Sequence, residues 1–319
     1  MIGLHQKFNS NSFMHKYILI FAINLCFISF LQAQPEKEKL DSKLESELLN
    51  LISPFKGDVG IYVHHLKNHK TVSIKADSIF PTASLIKVPI LITLFDRINK
   101  GEINKDSMLI FKDSLRYSLE NDLLASMRDT AKVNLEQVAM LTVTLSDNTA
   151  ALWCQSIAGT GININNFLEK NNFIQTRINS RTPGRKAEQI KYGWGQTTPR
   201  EMAYLFIKIR QKKIINEAVS EKIYRYLGRS FWDGEALSQI PPYINKISKQ
   251  GSVSKSRSEV VLVNAPHGDY VFCVITNNQK DTSTKADNEG YILLRAISRT
   301  IWQHFEKKSK WIAGDITGK

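Results

Sequence analysis

Ser84 and Lys87 stand three residues apart where a turn runs into an apolar helical stretch, Thr82-Ala-Ser-Leu-Ile-Lys-Val-Pro-Ile-Leu. A serine hydroxyl is a weak nucleophile until a base takes its proton. A lysine can be that base when burial or a neighbouring cation lowers its pKa. On a helix the two side chains share a face, one turn apart. The helix N-terminus adds partial positive charge and free backbone N–H groups that can meet a developing oxyanion. The tetrapeptide alone says little, because Ser-x-x-Lys also occurs at Ser53–Lys56 and at Ser252–Lys255.

Two further groups supply context. Ser146-Asp147-Asn148 falls 62 residues after Ser84, in a short break between two helical stretches. Asp147 there reads equally as a helix N-cap. Ser146 could relay a proton to a leaving group, and Asn148 could bind an amide carbonyl. Lys249-Gln250-Gly251-Ser252 falls 165 residues after Ser84, at the end of a strand. Gly251 permits close approach of a substrate backbone, and an edge strand can pair with an extended acyl amide. Lys249 could hold an anionic group or bias the potential around Ser146. Taken singly, a turn glycine and a sheet-edge lysine explain this third group just as well.

The elements that must position these residues follow from the hydrophobic pattern. Leu40, Leu44, Leu48 and Leu51 mark an amphipathic helix in the charged N-terminal segment. Gly60-Ile-Tyr-Val and Thr71 to Ile74 form a hairpin about Lys67-Asn68-His69-Lys70. Residues 101–228 are mostly helical, with helices over Leu135 to Leu145 and Thr149 to Ala158. Residues 171–199 lack periodicity and form a long loop, functional or mobile. Strands return at Ile244 to Ser248, Val260 to Val263 and Tyr270 to Thr276, and a last helix runs from about Glu289 to Phe305. Strands at both ends around a helical middle imply an α+β fold. Its antiparallel sheet of N- and C-terminal strands is flanked by helices, with an all-helical lobe over about 101–228.

Residues 1–33 read as a secretory signal peptide: Lys7 and Lys16, an apolar run from Tyr17 to Leu31, then Leu31-Gln32-Ala33. The run is short for a membrane span, and Cys26 lacks the small residues that lipoprotein processing would want before it. Removal leaves one catalytic domain over 34–319, exported to the periplasm or beyond, with no stable membrane span. The net charge of +13 falls to +11, since the leader holds two lysines and no acid. Those charges are scattered without an aromatic-interleaved basic cluster, which argues against nucleic acid. Cys154 and Cys273 lie 119 residues apart and imply no disulfide framework. His64, His65, His69, His267 and His304 show no ligand spacing and read as surface histidines. No metal or cofactor is implied, and a monomer is expected.

The three groups in this order resemble the penicillin-recognising serine hydrolases, specifically the class A β-lactamase-like group, which carries Ser-x-x-Lys, Ser-Asp-Asn and Lys-Thr-Gly. Gly60-Ile-Tyr-Val, Phe80-Pro-Thr-Ala-Ser-Leu-Ile-Lys-Val-Pro-Ile and Thr197-Thr-Pro-Arg-Glu-Met also resemble segments of that family, over roughly residues 40–308. The resemblance implies a β-lactamase/transpeptidase-like fold and an acyl-enzyme on Ser84, with Lys87 as proton acceptor and Ser146 in the proton path. Asn148, Lys249, Gly251 and Ser252 would bind substrate, and the N–H groups of Ser84 and Ser252 would form the oxyanion hole. It implies hydrolysis of β-lactams. D-Ala-D-Ala peptidase activity on cell-wall peptides, esterase activity, and a β-lactam or muropeptide sensor without turnover are the alternatives.

Two departures stand out. Gln250 replaces the small hydroxyl residue that contacts the substrate carboxylate in the family; Arg257 lies near the place of a carboxylate-binding arginine. The family's loop Glu, followed shortly by Leu-Asn, is missing. Counting back from Thr197 puts Thr182 near its place, and Glu188 is the sole carboxylate of residues 179–199. Glu188 is either a base presented by a differently shaped loop or a solvated surface residue.

Overall fold

The computed structural model describes Gly3, residues 37–118 and residues 122–318. The leader expected over residues 1–33 lies outside them, Gly3 apart. Among the described residues no helix is long and apolar enough to cross a membrane. All the elements below belong to one contact unit, Lys39–Lys319.

Strands β1 (Lys39–Leu40), β2 (Asp58–His65) and β3 (Lys70–Ile74) come first, with helix α1 (Ser42–Ile52) between β1 and β2. Strand β4 (Phe80–Pro81) leads through a 3₁₀ turn, Ala83–Ile86, into α2 (Lys87–Asn99). The lobe that follows holds β5 (Met108–Ile110), β6 (Lys132–Asn134), α3 (Leu135–Thr144), α4 (Asn148–Ile157) and α5 (Thr160–Lys170). The expected long loop is built from β7 (Arg177–Ile178), α6 (Lys186–Tyr192) and β8 (Gly195–Thr197). Helices α7 (Pro199–Arg210) and α8 (Glu217–Leu227) precede β9 (Lys246–Val253), β10 (Ser256–Val263), β11 (Tyr270–Asn277) and α9 (Glu289–Phe305).

The main sheet runs β1-β3-β2-β11-β10-β9. N-terminal and C-terminal strands meet at an antiparallel seam, Asp58 opposite Asn277 and His65 opposite Tyr270. Both faces are covered, so β10 and β11 read as nearly continuous apolar runs. Alternate residues still part the two cores. Val260, Leu262, Val271, Cys273 and Ile275 join Leu85, Leu91, Leu135 and Leu205 beneath the helical lobe. Val261, Val263, Phe272 and Val274 join Leu44, Leu48, Leu294 and Ile297 of α1 and α9. Strand β9 is left at the sheet edge, where it packs against the Ala83–Ile86 turn.

Some expectations change. His64 and His65 are buried on β2, not on the surface. Tyr62 Oη and His64 Nδ1 share a 3.1 Å hydrogen bond, and His65 packs edge-on to Phe305. His304 is likewise enclosed, 3.0 Å from Asp41 Oδ2. Cys154 and Cys273 are buried free thiols, and burial pushes the Cys154 thiol up to about 12.

Candidate active site

The nucleophile turn is set by its neighbours. Strand β4 pairs with β8, Phe80 opposite Thr197, and Thr82 N donates to Gly195 O at 3.0 Å. Ala83 then takes a left-handed φ of 44°, and Ser84 enters the 3₁₀ turn half-buried at the wall of a cleft. The α-helix proper begins at Lys87, whose side chain points inward and is fully buried. Opposite, Asp147 caps α4 by accepting from Ala150 N at 2.7 Å. Ser146 before it has φ 59°, which turns its hydroxyl toward Lys87. Left-handed non-glycine residues cost on the order of 1–3 kcal/mol each and persist where the surroundings over-determine them.

Lys87 Nζ donates to Ser146 O at 2.5 Å and to Asn148 Oδ1 at 2.7 Å, and stands 3.2 Å from Ser146 Oγ. A neutral amine there would give its two N–H groups to the two carbonyl oxygens and turn its lone pair to the Ser146 hydroxyl. Burial pushes the Lys87 amine down to about 7, against the pull of Asp122 and Asp147. Lys249 is also fully buried. Its Nζ has three acceptors, Ser146 Oγ at 3.0 Å, Gln250 O at 2.9 Å and Gln250 Oε1 at 3.0 Å. Burial and the nearby Lys87 draw Lys249 well below the usual lysine range, while Glu259 works the other way. Ser146 Oγ therefore bridges two amines that burial draws below the usual lysine range.

Gly251 brings β9 against the nucleophile. A Cβ there would lie 2.9 Å from Thr82 O and 3.0 Å from Ser84 N. The cleft of 470 Å³ is lined by Ser84, Ser146 and Asn148 on one side and Gln250, Gly251 and Ser252 on the other. A hydroxyl beside a lowered amine, backbone donors and a strand edge together can perform acyl transfer.

A sequence model of the Beta-lactamase enzyme family matches residues 43–305. The chain belongs to the β-lactamase enzyme family. It is 21% identical over 311 residues to Beta-lactamase VEB-1 of Pseudomonas aeruginosa, covering 92% of this chain and 99% of that protein. Among solved structures it is similar to PBP-A, with TM-score 0.76 and 24% identity over 86% of this chain and 100% of that one. A β-lactamase from Sphaerobacter thermophilus is similar at TM-score 0.73 and 19% identity, over 83% and 98% of the two chains. These structures share the class A β-lactamase fold with this chain.

The β-lactamase-family loop over residues 171–199 is closed rather than loose. Arg185 bridges Asn179 Oδ1 at 2.7 Å and Gln196 Oε1 at 2.9 Å. Glu201 accepts from the N–H groups of Ile174, Gln175 and Thr176. Thr182 is docked on α5, its hydroxyl filling the space beside Gly161, and it does not line the cleft. Glu188 sits on α6 and does not line the cleft either. The loop approaches Lys87 with Trp194, whose ring centroid is 6.0 Å from Nζ. Glu188→Gln is therefore expected to change the rate of acyl-group release by less than about twofold, read by following the intact mass of the adduct over time; a larger drop would return Glu188 to the chemistry.

Arg257 is not brought to the cleft. It is buried opposite Ser252, donates to Ser254 O, Ser256 O and Ser283 O, and lies under the Tyr291 ring. Glu259 is the residue opposite Gln250. Burial pushes Glu259 up to about 8, with Glu235 adding to the rise. Sequence reading also missed Asp122, which accepts from Asn148 N, Thr149 N and Thr149 Oγ1 and so fixes the start of α4. Nor did it find the cleft rim of Phe231, Trp232, Asp233 and Glu235. Only the Phe-Trp pair, as exposed aromatics next to acids, was a usable signal.

Proposed function

We propose that the chain is an exported serine hydrolase that opens β-lactams and equivalent acyl amides through an acyl-enzyme on Ser84. The observation that carries this is the Lys87 amine, buried one turn from Ser84 against Ser146 and Asn148, where burial lowers it to about 7. Lys87 takes the proton of Ser84 Oγ as that oxygen attacks the carbonyl carbon. The N–H groups of Ser84 and Ser252 hold the oxyanion. The C–N bond breaks as Ser146, bridging Lys87 and Lys249, passes a proton to the leaving nitrogen. Asn148 and the edge of β9 hold the acyl side. Water then releases the acyl group.

One observation favours a second reading, acylation with little turnover, as in a D-Ala-D-Ala peptidase or a β-lactam sensor. Among the described residues no carboxylate of the 171–199 loop lines the cleft to activate that water. The similar solved structures include an acyl-enzyme complex of a PBP-A variant with penicillin G.

Incubation of the protein and Ser84→Ala with penicillin and a chromogenic cephalosporin, followed by absorbance and intact mass together, separates the readings. Turnover with little adduct supports hydrolysis, and a long-lived adduct supports the second reading. Ser84→Ala is expected to form no adduct and to lose at least about 10³-fold in rate. An adduct of equal yield on Ser84→Ala would end both.

A further inference from the structure

Asp233 and Glu235 put negative charge on the cleft rim of a chain whose net charge is +13. Two exposed stretches form the rim away from the catalytic groups, residues 231–234 and residues 284–287, and Thr284 of the second lines the cleft. One buried side chain of α9 ties them together. Arg295 Nη1 donates to Glu235 Oε2 at 2.7 Å, and Nη2 donates to Ala286 O. Its Nε donates to Ile316 O at 2.7 Å, in the segment that follows α9. One turn further along the helix, Ser298 Oγ donates to Ala236 O at 2.7 Å and Arg299 Nε to Gln239 Oε1 at 2.9 Å. Arg299 Nη2 also donates to Gly314 O. Gly318, at φ 73°, packs on Ala286 with no room between them for a Cβ. The segment after α9 thus runs back along that helix and reaches the stretch that Arg295 holds.

We propose that Arg295 is a positioning residue for substrate binding: it joins residues 231–240 and 279–288 into one wall of the cleft, and residues 314–318 strap its guanidinium in place. A guanidinium is a rigid planar fork, so an acceptor on Nε fixes the directions of the other two nitrogens. With Ile316 O there, Nη1 and Nη2 are aimed at Glu235 and Ala286 before substrate enters. Without the strap an incoming molecule must order the two stretches itself, and that cost is taken from its affinity. Ser84, Lys87 and Ser146 are held by other elements, so the chemical step is spared. The inference rests on the Ser84 acyl-enzyme reading and adds what shapes binding beside it.

Two variants test it. Arg295→Lys keeps the charge and loses the fork, and a chain ended after Ala313 removes the strap while leaving Trp311 and every residue of both cores in place. Acylation by a chromogenic cephalosporin is followed against concentration, and amide hydrogen exchange is followed by mass. In each variant the half-saturating concentration is expected to rise about fivefold, with the limiting acylation rate within about twofold and its pH midpoint unmoved. Exchange should quicken in residues 231–240 and 279–288 and stay unchanged in β10 and β11. Exchange unmoved in those two stretches, exchange that quickens throughout the fold, or a limiting rate that falls while the half-saturating concentration holds would overturn the proposal. No adduct on the unsubstituted protein counts against the acyl-enzyme reading instead, and the exchange measurement then decides on the strap by itself.

Discussion

Replacing Lys87 by methionine, which keeps the volume and removes the amine, is expected to slow acylation of Ser84 by about 10³-fold. In the proposed reaction the amine takes the serine proton, and its neutral form is within reach because burial brings it down to about 7. The same cause fixes the pH dependence. A lysine must be unprotonated to accept a proton, so the reactive fraction grows as pH rises through about 7 and then levels off. The second-order acylation rate constant of the unsubstituted protein should therefore climb about tenfold per pH unit below that point and flatten above it. Lys249 shares Ser146 Oγ with Lys87, so the observed midpoint belongs to the pair of amines rather than to either alone. A rate constant that is flat from about pH 5 to about pH 9, or a Lys87→Met variant that acylates at full speed, would remove Lys87 as the base.

Gly251→Ala is expected to be nearly as damaging without touching a reacting side chain. The added methyl would lie 2.6 Å from Ser258 Oγ, 2.9 Å from Thr82 O and 3.0 Å from Ser84 N. The first neighbour can rotate away. The other two are backbone atoms of the nucleophile turn, so β9 or that turn must shift. Overpacking of this kind typically costs about 1–3 kcal/mol of stability. The larger effect is on rate, since Ser84 N and Ser252 N lie on the two segments being forced apart, and loss of one oxyanion donor costs about 10²–10³-fold. Thermal unfolding and acylation rate, measured on the same preparation, check this. A folded variant with an unaltered rate would mean that the close approach of β9 is not what positions the donors.

Much of this architecture could be read from the residues. The final helix runs Glu289–Phe305, as its periodicity and its start after Asn288 suggest. The helix at Leu135 and the one after Asp147 also fall where their caps place them. Ser84 and Lys87 do not share a regular helix, however: a 3₁₀ turn holds the serine and the α-helix starts at the lysine. The left-handed Ala83 that allows this carries no residue-type signal. The burial of His64 and His65 was hidden because β2 is covered on both faces, which removes the alternation that marks an exposed side. The cleft charge was hidden for another reason. Asp233 and Glu235 lie far from Ser84 in sequence and reach the rim only through the fold, Glu235 by its pairing with Arg295 of α9, which a linear pattern does not display. Arg257 shows the converse: two residues from Glu259 along β10, it sits opposite Ser252 and is spent on backbone carbonyls.

The seam between β2 and β11 sets the order in which this molecule can become active. Asp58 to His65 pair with β3 on one side and with Tyr270 to Asn277 on the other, and β9 reaches the nucleophile turn as the outer strand of a sheet built on that second seam. Joining segments so distant must overcome a large loop-closure entropy before any contact repays it. A chain that has yet to deliver β11 therefore lacks the seam on which β10 and β9 are ordered beside the turn that carries Ser84. The wall that faces Ser84 is in this sense a property of the finished chain, missing until the last strand has docked.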